Sequence, residues 1–265
     1  MRSLRQLHDR AARAAAGRFL IDGVRLVEAA LAADAPLEQL LVAPGAASPR
    51  LAALVEAARA RGIRIVEVAP HVLEAISEVE SPQGVVAVVR RSTAPLEEVL
   101  GRRDLLLLVV DRVQDPGNLG TMIRTADGAG AHAVALTPGT VDATNPKAAR
   151  ATMGSLFHLP VAEMETQRLL AALRDARVRL LAADVAGTVS AREADWTRPL
   201  AVAVGSEAEG LAPPWREAAA QVVRIPLVGR ADSLNVAVAA AILLYEASAP
   251  VYTEAQSAPR TARGR

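Results

Sequence analysis

The chain contains no cysteine. Disulfides, thiolate metal ligands and cysteine-nucleophile chemistry are therefore excluded. Aromatic residues are scarce too: two Phe, two Trp and two Tyr in 265 residues. Domains that read RNA by stacking bases on surface rings need more, so any nucleic-acid contact runs mainly through phosphates, sugars and shape. The histidines His8, His71, His132 and His158 are scattered without ligand spacing, and no metal is expected. Lys147 is the only lysine, so nearly all positive charge is arginine. Arginine's planar fork suits phosphate, although genomic base composition would produce the same bias. No apolar run approaches the roughly 18 residues of a membrane span. Arg2, Arg5, Arg10, Arg13 and Arg18 are not followed by the apolar stretch of a secretory signal, and Asp9 and Asp22 argue against a transit peptide. A cytoplasmic protein without membrane contact is expected.

What is present is the make-up of a soluble globular chain: 51% hydrophobic, 22% charged and net charge +1. The length leaves room for one large or two modest domains. Residues 1–90 alternate between helical and strand patterns and predict a small α/β domain. Within it Leu4 to Ala16 reads as a helix, Phe19 to Ile21 as a strand, and Gly62 as the close of a helix begun at Pro49. Residues 91–103 read as a linker with a short helix. A second α/β pattern follows over 104–250, beginning with the apolar run Leu105–Val110, which predicts a central parallel strand. Residues 251–265 are polar, carry arginines, Pro259 and Gly264, and read as a disordered tail.

Three stretches can carry chemistry, each at the carboxyl end of a predicted strand, where open α/β sheets place ligands. The first runs from Asp111 through Asp115-Pro116-Gly117-Asn118-Leu119-Gly120 to Arg124, with Asn118 as a candidate helix cap. The second is Gly205-Ser206-Glu207-Ala208-Glu209-Gly210-Leu211, two glycines bracketing a pair of carboxylates. The third leads from Ile225-Pro226-Leu227 past Gly229 to Ser233-Leu234-Asn235, where Ser233 or Asn235 can cap a helix over Val236–Glu246. That helix is apolar all round, which predicts burial on every side. Gly128-Ala129-Gly130 loosely matches a dinucleotide fingerprint, but it follows a helix and precedes a strand, the reverse of what that fingerprint needs.

Taken together, the three stretches resemble the motifs of the SpoU (TrmH-like) branch of the SPOUT superfamily, RNA ribose 2′-O-methyltransferases. Asn145-Pro146-Lys147 with Arg150-Ala151 and Met153-Gly154-Ser155 is similar to the family's intermediate segment. Residues 1–90 more loosely resemble the family's N-terminal RNA-binding domain, related to ribosomal protein L30e, through Phe19, Asp22-Gly23 and Glu80-Ser81-Pro82-Gln83-Gly84-Val85-Val86.

The resemblance implies a parallel sheet with a deep trefoil knot, a homodimer, and S-adenosylmethionine as methyl donor. Carried over by position, Gly205, Ile225 and Leu234 would contact the donor largely through backbone, with Ser206, Leu227, Ser233 and Asn235 in the same pocket. Arg124 would act on the ribose hydroxyl, Asn118 would position Arg124 or the ribose, and Glu207 would organise its loop. Ser233 and Asn235 complete the implied catalytic set. A non-catalytic RNA-binding relative would be expected to lack Arg124, Glu207 or Asn235, and all three are present. The appended N-terminal domain implies ribosomal RNA of the large subunit as substrate, ahead of transfer RNA. Within the ribosomal reading, both housekeeping modification and self-protection against an antibiotic remain open.

Overall fold

The computed structural model describes residues 2–44, 48–77, 83–91 and 95–257. Two compact units emerge, and neither is one continuous stretch of chain. The first joins Met1–Ala94 with Asp115–Arg124 and Val141–Pro160; the second joins Pro95–Gln114, Thr125–Thr140 and Val161–Arg265.

The first unit is built on four strands, β1 (Arg18–Asp22), β2 (Leu37–Val42), β3 (Arg64–Glu67) and β4 (Val85–Arg90). They lie in the order β1-β4-β2-β3, with β4 antiparallel to both of its neighbours. Strand alternation sends Val85, Ala87 and Val89 to one face and Val86 and Val88 to the other. The first set packs with Phe19, Ile21, Val27 and Leu54, and with Leu156 and Phe157 from far along the chain. The second packs with Leu7, Leu73 and Ile76. Both faces of β4 are thus covered, and the β-branched run Val85-Val86-Ala87-Val88-Val89 is explained. Of the segment Glu80–Val86 named above, Glu80, Ser81 and Pro82 lie outside the described residues.

The helix expected over Leu4–Ala16 is broken. Asp9 is extended (φ −81°, ψ 136°), and its carboxylate accepts the Ala12 N–H at 2.9 Å, starting a separate helix at Arg10–Ala16. An aspartate whose side chain caps a helix outcompetes the continuous alanine pattern at that point. The new helix aims Arg13 inward. Its guanidinium meets Asp142 at 2.9 and 3.0 Å and donates to the carbonyls of Leu7 (3.0 Å) and His8 (2.7 Å). Each side chain of the pair is only 3% exposed. Burial opposes ionisation of Asp142, but the Thr144 hydroxyl and amide and the Arg13 guanidinium outweigh it and hold the carboxyl below its ordinary value of 3.8.

The second unit is organised around β5 (Leu106–Val110), the strand expected from the apolar run, and every residue of β5 is buried. With it lie β6 (Ala133–Leu136), β7 (Val161–Glu163), β8 (Arg179–Ala183), β9 (Val189–Ser190), β10 (Leu200–Val204) and β11 (Gln221–Arg224). The order is β7-β6-β5-β10-β8-β11-β9, and every pairing is parallel. The chain moves outward from β5 to β7, then returns on the other side and later inserts β10 between β5 and β8. That insertion is a topological switch point, with a crevice beyond the carboxyl ends of the strands. Strands β7 and β9 were not foreseen, being too short for a residue pattern to register.

The last helix runs from Val236 to Ser257. It extends through 251–257, where a disordered tail was expected; 258–265 lie outside the described residues. Burial on every side is also not observed. Val236, Ala237, Ala240, Leu243, Leu244 and Ala247 are buried, but Val238 is 49% and Tyr245 66% exposed. An apolar helix face can be matched to a partner as well as to the chain's own core, and composition does not separate the two.

Breaking the buried pair leaves a charge without compensation. Arg13→Ala should lower stability by about 3–5 kcal/mol in urea unfolding; a loss below about 1 kcal/mol would contradict the clamp. Because the folded carboxyl of Asp142 titrates low, its contribution is present above the ordinary carboxylate value and lost as pH falls through the lower folded value. The difference between wild type and Asp142→Asn should therefore shrink at acid pH.

Candidate active site

The loop after β10 is closed on itself. Ser206 and Gly210 exchange backbone hydrogen bonds of 3.1 and 3.0 Å, and the Glu209 N–H donates to Ser206 Oγ at 3.1 Å. Gly205 makes the closure possible. A Cβ there would lie 2.1 Å from the carbonyl carbon of Gly210 and the nitrogen of Leu211, so no other residue fits without moving backbone. Gly210 takes φ +65° at the other end.

The third stretch leaves β11 at Arg224 and returns to the sheet at the last helix. Of the two candidate caps, Asn235 is the one: its Oδ1 accepts the N–H groups of Ala237 (2.9 Å) and Val238 (3.3 Å). These two loops and the carboxyl ends of β8, β10 and β11 enclose a cavity of about 700 Å³. Gly205, Ser206, Glu207, Ile225, Leu227, Ser233, Leu234 and Asn235 all line it. So do Asp184 and Arg216, an ion pair at 3.1 Å that the sequence reading missed. Asp184 follows β8 as Gly205 follows β10, so applying the strand-end rule to every strand would have found it. Arg216, on the helix Pro213–Ala218, carried no signal.

The first stretch is arranged differently from expectation. Asn118 does not cap the helix, which begins earlier and runs Pro116–Gly128. Asp115 supplies the cap, its Oδ1 accepting the Asn118 N–H at 2.7 Å. Proline is tolerated at a helix start because its missing N–H has no intrahelical partner there. The Asn118 hydrogen bond, aided by Lys147 at 3.4 Å, holds the Asp115 carboxyl below its ordinary range. Gly120 is fixed by close packing, since a Cβ would lie 2.4 Å from the Ala148 carbonyl oxygen and the Ala151 Cβ. Asn118 is half-buried and Arg124 exposed, and neither lines the cavity. Among the described residues the Arg124 side chain has no hydrogen-bond or ion-pair partner. Just before this helix, Asp111 is buried and accepts from Thr137 Oγ1 (2.7 Å) and the Ala212 N–H (3.0 Å).

Among the described residues no cluster of His, Asp or Glu could hold a metal ion, and no helix is long and apolar enough to cross a membrane. The arrangement is a half-apolar cavity with a few fixed polar groups, the form of a small-molecule site. Asn235→Ala should cost about 1 kcal/mol through the lost cap, whereas Asn235→Asp, which keeps an acceptor there, should cost less; thermal unfolding of the two variants checks the assignment.

Comparison with known proteins identifies the family. A sequence model of the SpoU rRNA Methylase family matches residues 105–245, and one of the MRM3-like substrate binding domain matches residues 1–87. The chain is 37% identical over 241 residues to the 23S rRNA (guanosine(2553)-2′-O)-methyltransferase RlmP of Bacillus subtilis, covering 91% of this chain and 92% of that one. It is 34% identical over 248 residues to a 23S rRNA (uridine(2479)-2′-O)-methyltransferase of Streptomyces viridochromogenes, covering 91% and 86%. A crystal structure of an AdoMet-bound rRNA methyltransferase from Sinorhizobium meliloti superposes with a TM-score of 0.85 at 34% identity, over 94% of each chain. With its parallel sheet, its strand-end loops and this match, the chain belongs to the SpoU rRNA methylase family.

Proposed function

We propose that this protein transfers a methyl group from S-adenosylmethionine to a ribose 2′-hydroxyl of large-subunit ribosomal RNA. The cavity carries the reading: every residue assigned to the methyl donor by resemblance lines it. Its size suits the donor. Ile225, Leu227 and Leu234 offer apolar walls for a purine. Ser206, Ser233 and Asn235 supply the few polar groups that fix orientation. When bound, the donor supplies an electrophilic methyl on a sulfonium.

The chain's own residues must make a poor nucleophile attack. A ribose hydroxyl has to be held in line and relieved of its proton as the bond forms. A guanidinium is a poor general base, so the part of Arg124 is to clamp a neighbouring phosphate and orient the hydroxyl. Its exposure on the helix that follows β5 suits that task. Asn118, six residues earlier on the same helix, positions Arg124 or the ribose, and Glu207 organises the donor loop. The relatives named above act on guanosine and uridine, so the reading commits to a ribose and not to a base.

The match over residues 1–87 supports an RNA-binding role for the N-terminal domain. Truncating it would also strip Leu156 and Phe157 of their packing and Asp142 of its arginine, so point substitutions are the cleaner probe. A trefoil knot belongs to the same reading; the late insertion of β10 between β5 and β8 supports it. So does a homodimer, supported by the apolar Val238 and Tyr245 left uncovered on the last helix. The reaction is assigned to the cytoplasm, where ribosomes are made in bacteria.

Purified protein with methyl-tritiated donor should label total ribosomal RNA; label confined to transfer RNA would move the substrate, and no label in either would contradict the enzyme reading. Arg124→Ala should cut methyl transfer by about 100-fold or more while leaving donor affinity within about twofold; unchanged turnover would remove Arg124 from its role. Tyr245→Glu should shift the sedimentation coefficient from dimer to monomer, and a wild type already monomeric at high concentration would exclude the dimer.

A further inference from the structure

Arg112 stands two residues past β5, and the reading above gives it no task. Its backbone is left-handed, φ +57°, a conformation unusual outside glycine. The turn is held by its own N–H, which donates to Thr140 Oγ1 at 2.9 Å and Thr137 Oγ1 at 3.3 Å. The turn aims the guanidinium at the loop that follows β10. Nη1 meets Glu209 Oε2 at 2.5 Å, Nη2 donates to the Gly210 carbonyl at 3.3 Å, and Nε donates to Asp111 Oδ2 at 3.2 Å. Asp111 in turn accepts the Ala212 N–H. Neighbouring residues of one loop thus hold positions 209, 210 and 212 of the other. Because the Gly205 backbone packs against Gly210 and Leu211 with no room for a Cβ, displacement at 210 is felt at 205, inside the cavity.

We propose that Arg112 is a positioning residue for the methyl donor: it keeps the Gly205–Gly210 loop in the shape that lines the cavity, without touching substrate. The inference rests on the reading that the donor occupies this cavity. The side chain type is specific. Three acceptors in different directions match the guanidinium fork, whereas a lysine ammonium is a point charge at the end of a flexible stem and cannot reproduce that fork. The parts are unequal. Glu209 is 69% exposed, so its ion pair contributes little by itself. Asp111 is only 2% exposed, and with the Gly210 carbonyl it sets the loop's shape.

The test is equilibrium binding of S-adenosylhomocysteine, followed by steady-state methylation of ribosomal RNA with S-adenosylmethionine varied. R112A should raise Kd and donor KM by roughly tenfold, the factor that about 1.4 kcal/mol produces, with kcat at saturating donor and RNA affinity within about twofold of wild type. E209Q should raise Kd by less than about threefold, and R112A combined with E209Q should bind no worse than R112A alone. If R112A fails to fold, R112K is read instead, with Kd raised by at least about threefold for want of the fork. Wild-type Kd in the variant, or a fall in kcat at unchanged Kd, would overturn the positioning role alone. Absence of binding by the wild-type chain would overturn the cavity's assignment, and this inference with it.

Discussion

The parallel pairing of β10 between β5 and β8 is the constraint on which the rest depends. Leu200–Val204 aligns residue for residue with Leu106–Val110, and Leu200–Ala203 with Arg179–Ala182. Hydrogen-bonded on both sides and wholly buried, β10 delivers Gly205 to a fixed place at the carboxyl edge. The loops after β8 and β11 then meet it there, and the cavity exists because three strand ends that are not consecutive in sequence are neighbours in the sheet. A slip of one residue would turn every side chain of β10 to the opposite face and shift the Gly205 loop relative to the ends of β8 and β11.

Glycine and arginine divide the work of shaping that edge. Gly205 permits the loop to fold against its own return by having no side chain, and Gly120 permits one helix to lie on another for the same reason. Arg112 works the opposite way, filling space with a fork that reaches three acceptors at once. The last helix, capped by Asn235, closes the cavity with one face and leaves an apolar face uncovered with the other.

Much of this was legible in the residues. The run at Leu105–Val110 announced a central strand because only a strand covered on both faces tolerates such continuity. The glycines around Ser206–Glu209 and the polar opening of the last helix marked the two cavity loops. Other features were hidden for physical reasons. Asp115 and Asn118 both have capping side chains, and only the true start of the helix at Pro116 decides between them. Asp184 and Arg216 reach the cavity through pairing and packing that no local pattern records. Nor does a linear reading show that 141–160 packs with the first 94 residues, since the Arg13–Asp142 pair spans 129 positions.

The central claim is that the cavity at the ends of β8, β10 and β11 holds the methyl donor. A crystal structure with S-adenosylhomocysteine tests it most directly. The account predicts the ligand against Gly205, Ile225 and Leu234, with Asn118 and Arg124 making no contact with its purine. A ligand bound at another place on the chain, with this cavity open, would contradict it.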